Sequence, residues 1–283
     1  MTDRATNSNR TNRVNRARFD FGAFSLRAYV WLVVLFIMVP TLIIVPMSFS
    51  PADFLEFPPS GFTLHWYEEF FGDLQWRKAA LLSLQVAALT MLCSVVIGTM
   101  VSYAIVRGTA RFRSATQLLV IGPVIAPHIA VAVACYLFYQ QLGIVGSLGG
   151  FVAAHTVLAL PFVVFTVSAA LSRVDPDLEA AAMSCGASRP RAFFHVTLPL
   201  IVPGLLSGAL FAFIISFDEP VVSFFVSSVR QRTLPRRMFE DIEQNLTPII
   251  PAIATLLTLL SIAVLIAVAL LRVLERRRNE KSG

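Results

Sequence analysis

The sequence predicts an all-α membrane protein whose chain crosses the bilayer six times. Of its 283 residues, 56% are hydrophobic and 14% are charged, whereas about a quarter of a soluble domain is charged. Apolar runs of at least ~18 residues predict membrane-spanning helices. Because these runs are continuous and do not alternate with polar residues, a closed β-barrel is excluded. The six runs lie at about 28–48, 79–106, 115–139, 149–171, 199–228 and 249–271.

The predicted spans divide the chain into three parts. Residues 1–27 form an N-terminal tail that ends in a short helix at the membrane interface, residues 28–275 hold the six helices, and residues 276–283 form a C-terminal tail. A cleaved signal peptide is not expected, because the first run starts late, is long enough to span and lacks a following small-residue cleavage site.

The positive charges predict the orientation of the chain. All 23 Lys and Arg residues lie outside the six runs, and 17 of them fall in residues 1–27, in the loops 107–114 and 172–198 and after residue 271. Since Lys and Arg concentrate on the cytoplasmic side, both termini are predicted to be cytoplasmic. The loop 229–248 is the exception, because it should lie outside and yet holds four Arg residues. The net charge of +6 thus reflects membrane orientation, and no nucleic acid partner is predicted.

No arrangement of residues predicts catalysis or a metal site. The three cysteines are not at metal or redox spacing, and the four histidines form no H-E-x-x-H or similar cluster. We therefore expect no catalytic residue, metal or cofactor in this chain. Two of the histidines, His128 and His155, fall at or inside spans, and we interpret both as hydrogen-bonded packing residues.

The loop between the fourth and fifth runs has the residues of a helix–turn–helix. Asp175 is a suitable N-cap, and Pro176 then occupies the first helical position. Gly186 can end that helix in a left-handed conformation, and a second short helix can begin at Ser188 and Pro190. From composition alone, packing of this segment against its own spans and docking of a partner are equal alternatives.

The same loop resembles the cytoplasmic signature of permease subunits of binding-protein-dependent ABC importers. That signature reads E-A-A, three residues, Gly, nine residues, Ile, any residue, Leu-Pro. Gly186, Val196, Leu198 and Pro199 match its spacing, with Val in place of Ile. The signature's Glu position falls on Ala180, and the only Glu lies one residue earlier, at Glu179.

Two further motifs look like the spermidine/putrescine branch of these permeases. They are the external W-Y-x-x-x-F at Trp66, Tyr67 and Phe71 and the run S-F-D-E-x-V-V-x-x-F at 216–225. The resemblance covers about residues 28–275 and implies the type I ABC importer permease fold. It implies that the coupling segment, residues 175–198, contacts an ATPase subunit. The residues implied in coupling are Glu179, Ala180, Ala181, Ala182, Gly186, Ala187, Val196, Leu198 and Pro199.

The resemblance also implies partners and a location. The chain is expected in a bacterial inner membrane with a second permease, identical or different, two ATP-binding subunits and an external substrate-binding protein. ATP hydrolysis is expected in the partner subunits, in agreement with the absence of a G-x-x-x-x-G-K-[ST] motif here.

Polyamines are the leading expected substrates. Asp218 and Glu219 are the only charged residues inside any of the six runs, and charged residues in spans normally face a bundle interior or a water-filled path. We assign both to the substrate path, with an inter-subunit salt bridge or external-gate contact as an equal alternative. Ferric iron, an aminophosphonate and an opine-like organic solute remain alternative substrates, and a stand-alone secondary transporter or channel is the alternative class.

Overall fold

The computed structural model describes residues 21–263 except 229 and 230, together with residue 266, and all regular structure in these residues is helical. Residues 1–20 of the predicted N-terminal tail (1–27) and the whole predicted C-terminal tail (276–283) lie outside the described residues. The chain forms two compact units, one from His65 to Ile250 and one made of the residues before and after it.

The membrane spans are recognisable by length and apolarity. They include α1 (Phe21–Met47), α3 (Leu74–Arg107), α6 (Leu148–Leu171) and α9 (Leu198–Phe217). The third predicted run holds two apolar helices, α4 (Ala110–Ile125) and α5 (His128–Leu142), which meet at 104° at a short break. The apolar helix α12 (Ile249–Ala263) is the described part of the sixth predicted run. The predicted all-α polytopic fold is confirmed.

Within the first unit, α1 runs as one helix from Phe21 to Met47. From Phe21 onward, the interfacial helix that the sequence predicts is not separate, because α1 continues through it into the first span. In the loop that follows α1, Glu56 accepts hydrogen bonds from the Ser50 hydroxyl at 2.6 Å and from the Ser60 amide at 2.8 Å.

In the second unit, α3, α6 and α9 pack against one another. Close approach of α9 to α6 depends on Gly204 and Gly208, a small-xxx-small pair of the kind that brings membrane helices together. A Cβ atom at Gly204 would lie 2.5 Å from the Ala170 Cβ, and one at Gly208 would lie 2.7 Å from the Thr166 hydroxyl. Both glycines are therefore required by packing.

Shorter helices complete the second unit and position the candidate site. Helix α10 (Val221–Val226) packs on α5, and helix α11 (Leu234–Gln244) packs on α3. The remaining short helices are α2 (His65–Gly72), α7 (Pro176–Ser184) and α8 (Arg189–Ala192), the last followed by a π-helical turn, Phe193–Thr197.

Candidate functional site

The coupling segment folds as its residues predict. The Asp175 side chain caps α7 by accepting the Asp177 amide at 2.9 Å. Gly186 has a φ of 92°, a left-handed conformation that ends α7 and turns the chain. The second helix is not isolated as expected, because α8 passes through the π-helical turn directly into α9. The turn is therefore joined to a membrane span with no intervening loop.

Glu179 connects the coupling segment to the spans. Its carboxylate accepts a hydrogen bond from the Tyr103 hydroxyl at 2.8 Å and another from the Thr197 hydroxyl at 2.5 Å. The Arg107 Nε lies 3.8 Å from the same carboxylate, and a terminal nitrogen of Arg107 donates to the Val174 carbonyl at 2.9 Å. Both oxygens of Glu179 are therefore engaged within this chain, by the end of α3 and the start of α9.

The rest of the coupling segment presents a surface of small and apolar residues. No residue of α7 is buried. Large apolar side chains stand exposed, with Leu178 at 47% and Met183 at 38% on α7 and Phe194 at 60% in the π-helical turn. Among the residues that the resemblance implies, Ala180, Ala181, Gly186 and Pro199 are exposed, and Glu179, Ala182, Ala187, Val196 and Leu198 are half-buried. The structure thus gathers them into one segment, but Glu179 faces the spans.

The acidic pair lies at a break in the fifth span. Helix α9 ends at Phe217, Asp218 is its C-cap, and Pro220 precedes the short helix α10. Asp218 is exposed, whereas Glu219 is only 6% exposed. One Glu219 oxygen accepts the Val222 amide at 2.9 Å, which caps α10. The two carboxylates, predicted to share the substrate path, are therefore in different environments.

The buried His155 holds this break in place. The His155 ring, 1% exposed, has Nδ1 2.9 Å from the Ser216 hydroxyl and Nε2 3.1 Å from the Ser223 hydroxyl. It thereby joins the end of α9 to α10. His155 is a hydrogen-bonded packing residue, as predicted. The other intramembrane histidine, His128, is exposed, and its Nδ1 lies 3.7 Å from the second oxygen of Glu219.

The contact of His128 with Glu219 depends on the break in the third span. That break falls at Ala126 and Pro127, and His128 is the first residue of α5. The sequence contains a signal for this break. Pro123 and Pro127 lie close together, and the residue before a proline disfavours helical backbone. The breaks in the third and fifth predicted runs therefore meet at the contact between His128 and Glu219. Broken helices are tolerated in a membrane where the backbone groups without helical hydrogen bonds are buried in protein.

The described arginines of the loop that the charge rule could not explain contact acidic and aromatic neighbours. Arg232 and Arg236 both lie 2.9 Å from the Glu240 carboxylate. The Arg236 guanidinium also lies over the Phe224 ring, 5.0 Å from its centroid, and that of Arg237 lies over the Trp76 ring at 4.6 Å. Arg230, the fourth arginine of this loop, lies outside the described residues. Among the described residues, neither Asp218 nor Glu219 contacts these arginines, and Glu219 contacts His128 instead.

A family model described as the inner membrane component of binding-protein-dependent transport systems matches residues 17–280 of the chain. The chain belongs to this family. The expected resemblance is thereby confirmed, and the chain is a membrane-embedded transport permease that functions with a binding protein.

Named relatives are permeases of the same kind. The spermidine/putrescine transport system permease protein PotC of Haemophilus influenzae is 30% identical over 256 residues, which cover 90% of this chain and 98% of PotC. The putrescine transport system permease protein PotI of Escherichia coli is 30% identical over 229 residues, or 78% of this chain and 81% of PotI. These relatives are transport permeases and not enzymes.

Solved structures show the same fold. A bacterial ABC transporter involved in the import of the acidic polysaccharide alginate aligns with a TM-score of 0.68 at 14% identity, covering 93% of this chain and 99% of that one. An amino acid ABC transporter aligns with a TM-score of 0.54 at 17% identity, covering 75% and 99%. The type I ABC importer permease fold is confirmed.

Proposed function

We propose that this chain is the permease subunit of an ABC importer that moves a polyamine such as spermidine or putrescine into the cell. The observation that carries the proposal is the similarity to PotC, which extends over 98% of that permease. The chain would work with a second permease, two ATP-binding subunits and an external substrate-binding protein. ATP hydrolysis would take place in the ATP-binding subunits.

The coupling segment is the proposed contact with the ATP-binding subunits. Its outward face combines exposed Leu178 and Met183 with small residues, which leaves room for a cleft to close around α7. Glu179 has its carboxylate turned toward Tyr103 and Thr197. We therefore assign Glu179 to transmission within the permease, and the exposed apolar face to contact with the partner.

We assign the substrate contact to Asp218 and a structural role to Glu219. Asp218 is exposed at the end of α9, where a passing ammonium group could reach its carboxylate. Glu219 is buried and already accepts the Val222 amide. A carboxylate in a span normally faces an aqueous path or a bundle interior, and only Asp218 has a carboxylate open to a solute.

The proposed orientation puts the coupling segment and both termini in the cytoplasm and α11 outside. It follows from the positive charge of the tails and of the 107–114 and 172–198 loops. A reporter inserted beside Gln231 should be external, and a reporter fused after residue 283 should be cytoplasmic. A cytoplasmic signal from the insertion beside Gln231 would contradict the orientation.

The test of the function is uptake of radiolabelled putrescine and spermidine by proteoliposomes that contain the complete complex, with binding protein at saturation. Asp218→Asn should lower uptake about tenfold or more, because a hydrogen bond to a charged group contributes about 1.5–3 kcal/mol. Asp53→Asn removes an exposed carboxylate outside the break and should leave uptake unchanged. Unchanged uptake in both Asp218→Asn and Glu219→Gln would remove the acidic pair from the substrate path.

A further inference from the structure

A cavity of about 270 Å³ opens at the N-terminal end of α3, beside the residues that lead into α11. The amide of Leu234, the first residue of α11, donates to the Ser83 hydroxyl of α3 at 2.7 Å, which fixes one wall of the cavity against the other. The residues that line it are Gln75, Lys78, Ala79, Leu82, Gln231, Arg232 and Arg237.

The lining of this cavity is cationic. Three of the seven residues carry a positive charge, two more carry amide groups, and none is acidic. Arg232 is paired with Glu240, and Arg237 lies over Trp76 with Asp73 at 4.0 Å. Within the described part of the chain, no carboxylate pairs with the Lys78 ammonium. The cavity therefore offers a positive charge that its own walls do not neutralise.

The cavity lies at the opposite membrane surface from the coupling segment. Arg107 at the C-terminal end of α3 contacts Glu179 of that segment, and Lys78 lies 29 residues earlier in the same helix. At ~1.5 Å per residue the two positions are about 43 Å apart, close to the ~40–45 Å thickness of a bilayer with its headgroups. A partner that reaches the cavity must therefore come from the side away from the ATP-binding subunits.

We infer that this cavity is a carboxylate-binding site that receives an acidic side chain of the external substrate-binding protein. The inference rests on the proposed function for its orientation, and the family itself is binding-protein-dependent. A carboxylate inserted between Lys78 and the two arginines forms charge-assisted hydrogen bonds with donors that are already held in place. A polyamine would be repelled by the same charges, so the cavity does not compete with Asp218 for the substrate.

The first test measures how ATP hydrolysis depends on the concentration of binding protein, in complete complexes reconstituted in neutral lipid. Lys78→Glu should raise the half-saturating concentration about tenfold or more and leave the maximal rate unchanged, since it opposes a charge at the docking site. Arg77→Glu is the matched control, because it makes the same charge change one residue away and does not line the cavity. An equal shift in the two variants, or no shift in Lys78→Glu, overturns the assignment.

The same assay separates this inference from its alternatives. If the wild-type complex does not respond to binding protein at all, the proposed function fails and the assigned partner fails with it. Repeating the titration with anionic lipid distinguishes a lipid headgroup from a protein carboxylate. If Lys78→Glu changes only the dependence on anionic lipid, the occupant is a headgroup and the inference is wrong.

The second test identifies the partner directly by carbodiimide cross-linking. The reagent activates a carboxylate, the Lys78 amine attacks the activated carbonyl, and an amide forms as the urea leaves. Lys78 and Lys281 are the only lysines of the sequence, so peptide mapping assigns each conjugate without ambiguity. We expect a conjugate between Lys78 and an Asp or Glu of the binding protein, lost in Lys78→Arg, which keeps the charge. Absence of this conjugate from an actively transporting wild-type complex overturns the inference.

Discussion

The two ends of α3 use charge in opposite ways. At its C-terminal end, one carboxylate from the coupling segment, that of Glu179, is surrounded by Tyr103, Arg107 and Thr197. At its N-terminal end, arginines of the 229–248 loop cover aromatic rings and share the carboxylate of Glu240. The first arrangement satisfies its charge inside the chain. The second leaves Lys78 unpaired among the described residues.

This difference indicates what each end of the helix does. A carboxylate with both oxygens engaged by two spans can transmit a displacement, because moving it breaks hydrogen bonds to both. A cationic cavity with an unpaired lysine can recognise a partner that brings the missing charge. One end of α3 is therefore suited to transmission and the other to recognition, and the following variants test that division.

The largest effect is expected for Gly186→Val in the coupling segment. A β-branched residue at a φ of 92° is strained by about 1–2 kcal/mol, and a change in the turn would separate α7 from α8. We expect normal insertion with loss of binding-protein-stimulated ATP hydrolysis. The measurement is co-purification of the ATP-binding subunit together with the stimulated rate.

Gly143→Val provides the matched control for this prediction. Gly143 also has a left-handed backbone, with a φ of 67°, and at neither glycine would a new Cβ meet another atom within 4 Å. The two variants thus carry similar backbone strain at different sites. Equal losses of ATP-binding subunit in both would mean that general destabilisation, and not the coupling turn, explains the result.

The next effect in size is expected for Glu179→Gln. The change removes the charge that Tyr103, Thr197 and Arg107 share, so ATP hydrolysis should continue while uptake per ATP falls about tenfold. Asp177→Asn, an exposed carboxylate on the same helix, should leave that ratio unchanged. The double variant Glu179→Gln/Tyr103→Phe should lose less than the sum of the two single losses, because the residues form one hydrogen bond. Additive losses would show that the pair does not act together.

A smaller effect, on stability alone, is expected at the other end of α3. Arg236→Gln removes the contact with the Phe224 ring and the pair with Glu240, worth together about 1–2 kcal/mol. We expect a thermal unfolding midpoint lower by a few degrees and an unchanged ratio of uptake to hydrolysis. A loss of coupling in Arg236→Gln as large as that in Glu179→Gln would remove the distinction between the two ends.

The smallest effect concerns a carboxylate of the first unit, in the loop that follows α1. Hydrogen bonds from Ser50 and then from Ser60 lower the pKa of Glu56 below the ordinary glutamate value. Because the folded-state pKa is the lower one, these bonds stabilise the loop above the ordinary pKa, and the stabilisation is lost as the pH falls through the folded value. An NMR titration of the Glu56 carboxyl should show this low midpoint, and Ser50→Ala should raise it. A midpoint that Ser50→Ala does not change would contradict the assignment.

The parts of the structure that the sequence predicts are those decided by local chemistry. Asp175, Pro176 and Gly186 define a helix and its turn through backbone preferences that act within a few residues. The spans follow from continuous apolar runs, because the bilayer imposes their length. The structure agrees with the sequence for α7 and its turn, whereas the apolar runs predict where the spans lie but not the breaks within the third and fifth runs.

The parts that the sequence did not predict depend on contacts between distant segments. Glu179 lies one residue before Ala180, where the family signature has its Glu. Only the fold shows that Glu179 faces Tyr103, 76 residues away in the chain. The environments of Asp218 and Glu219 differ because the helix ends at Phe217, which composition alone did not indicate. The arginines of the 229–248 loop lie on the predicted external side, where the charge rule expects few positive residues. Their aromatic and acidic contacts became visible only in the structure.

The most direct test of the division between the two ends uses photo-activated cross-linkers at Met183 on α7 and at Phe239 on α11, which are 38% and 51% exposed. In actively transporting complexes, we expect the position at Met183 to capture the ATP-binding subunit and the position at Phe239 to capture the binding protein. Capture of the binding protein from Met183, or of the ATP-binding subunit from Phe239, would contradict the account.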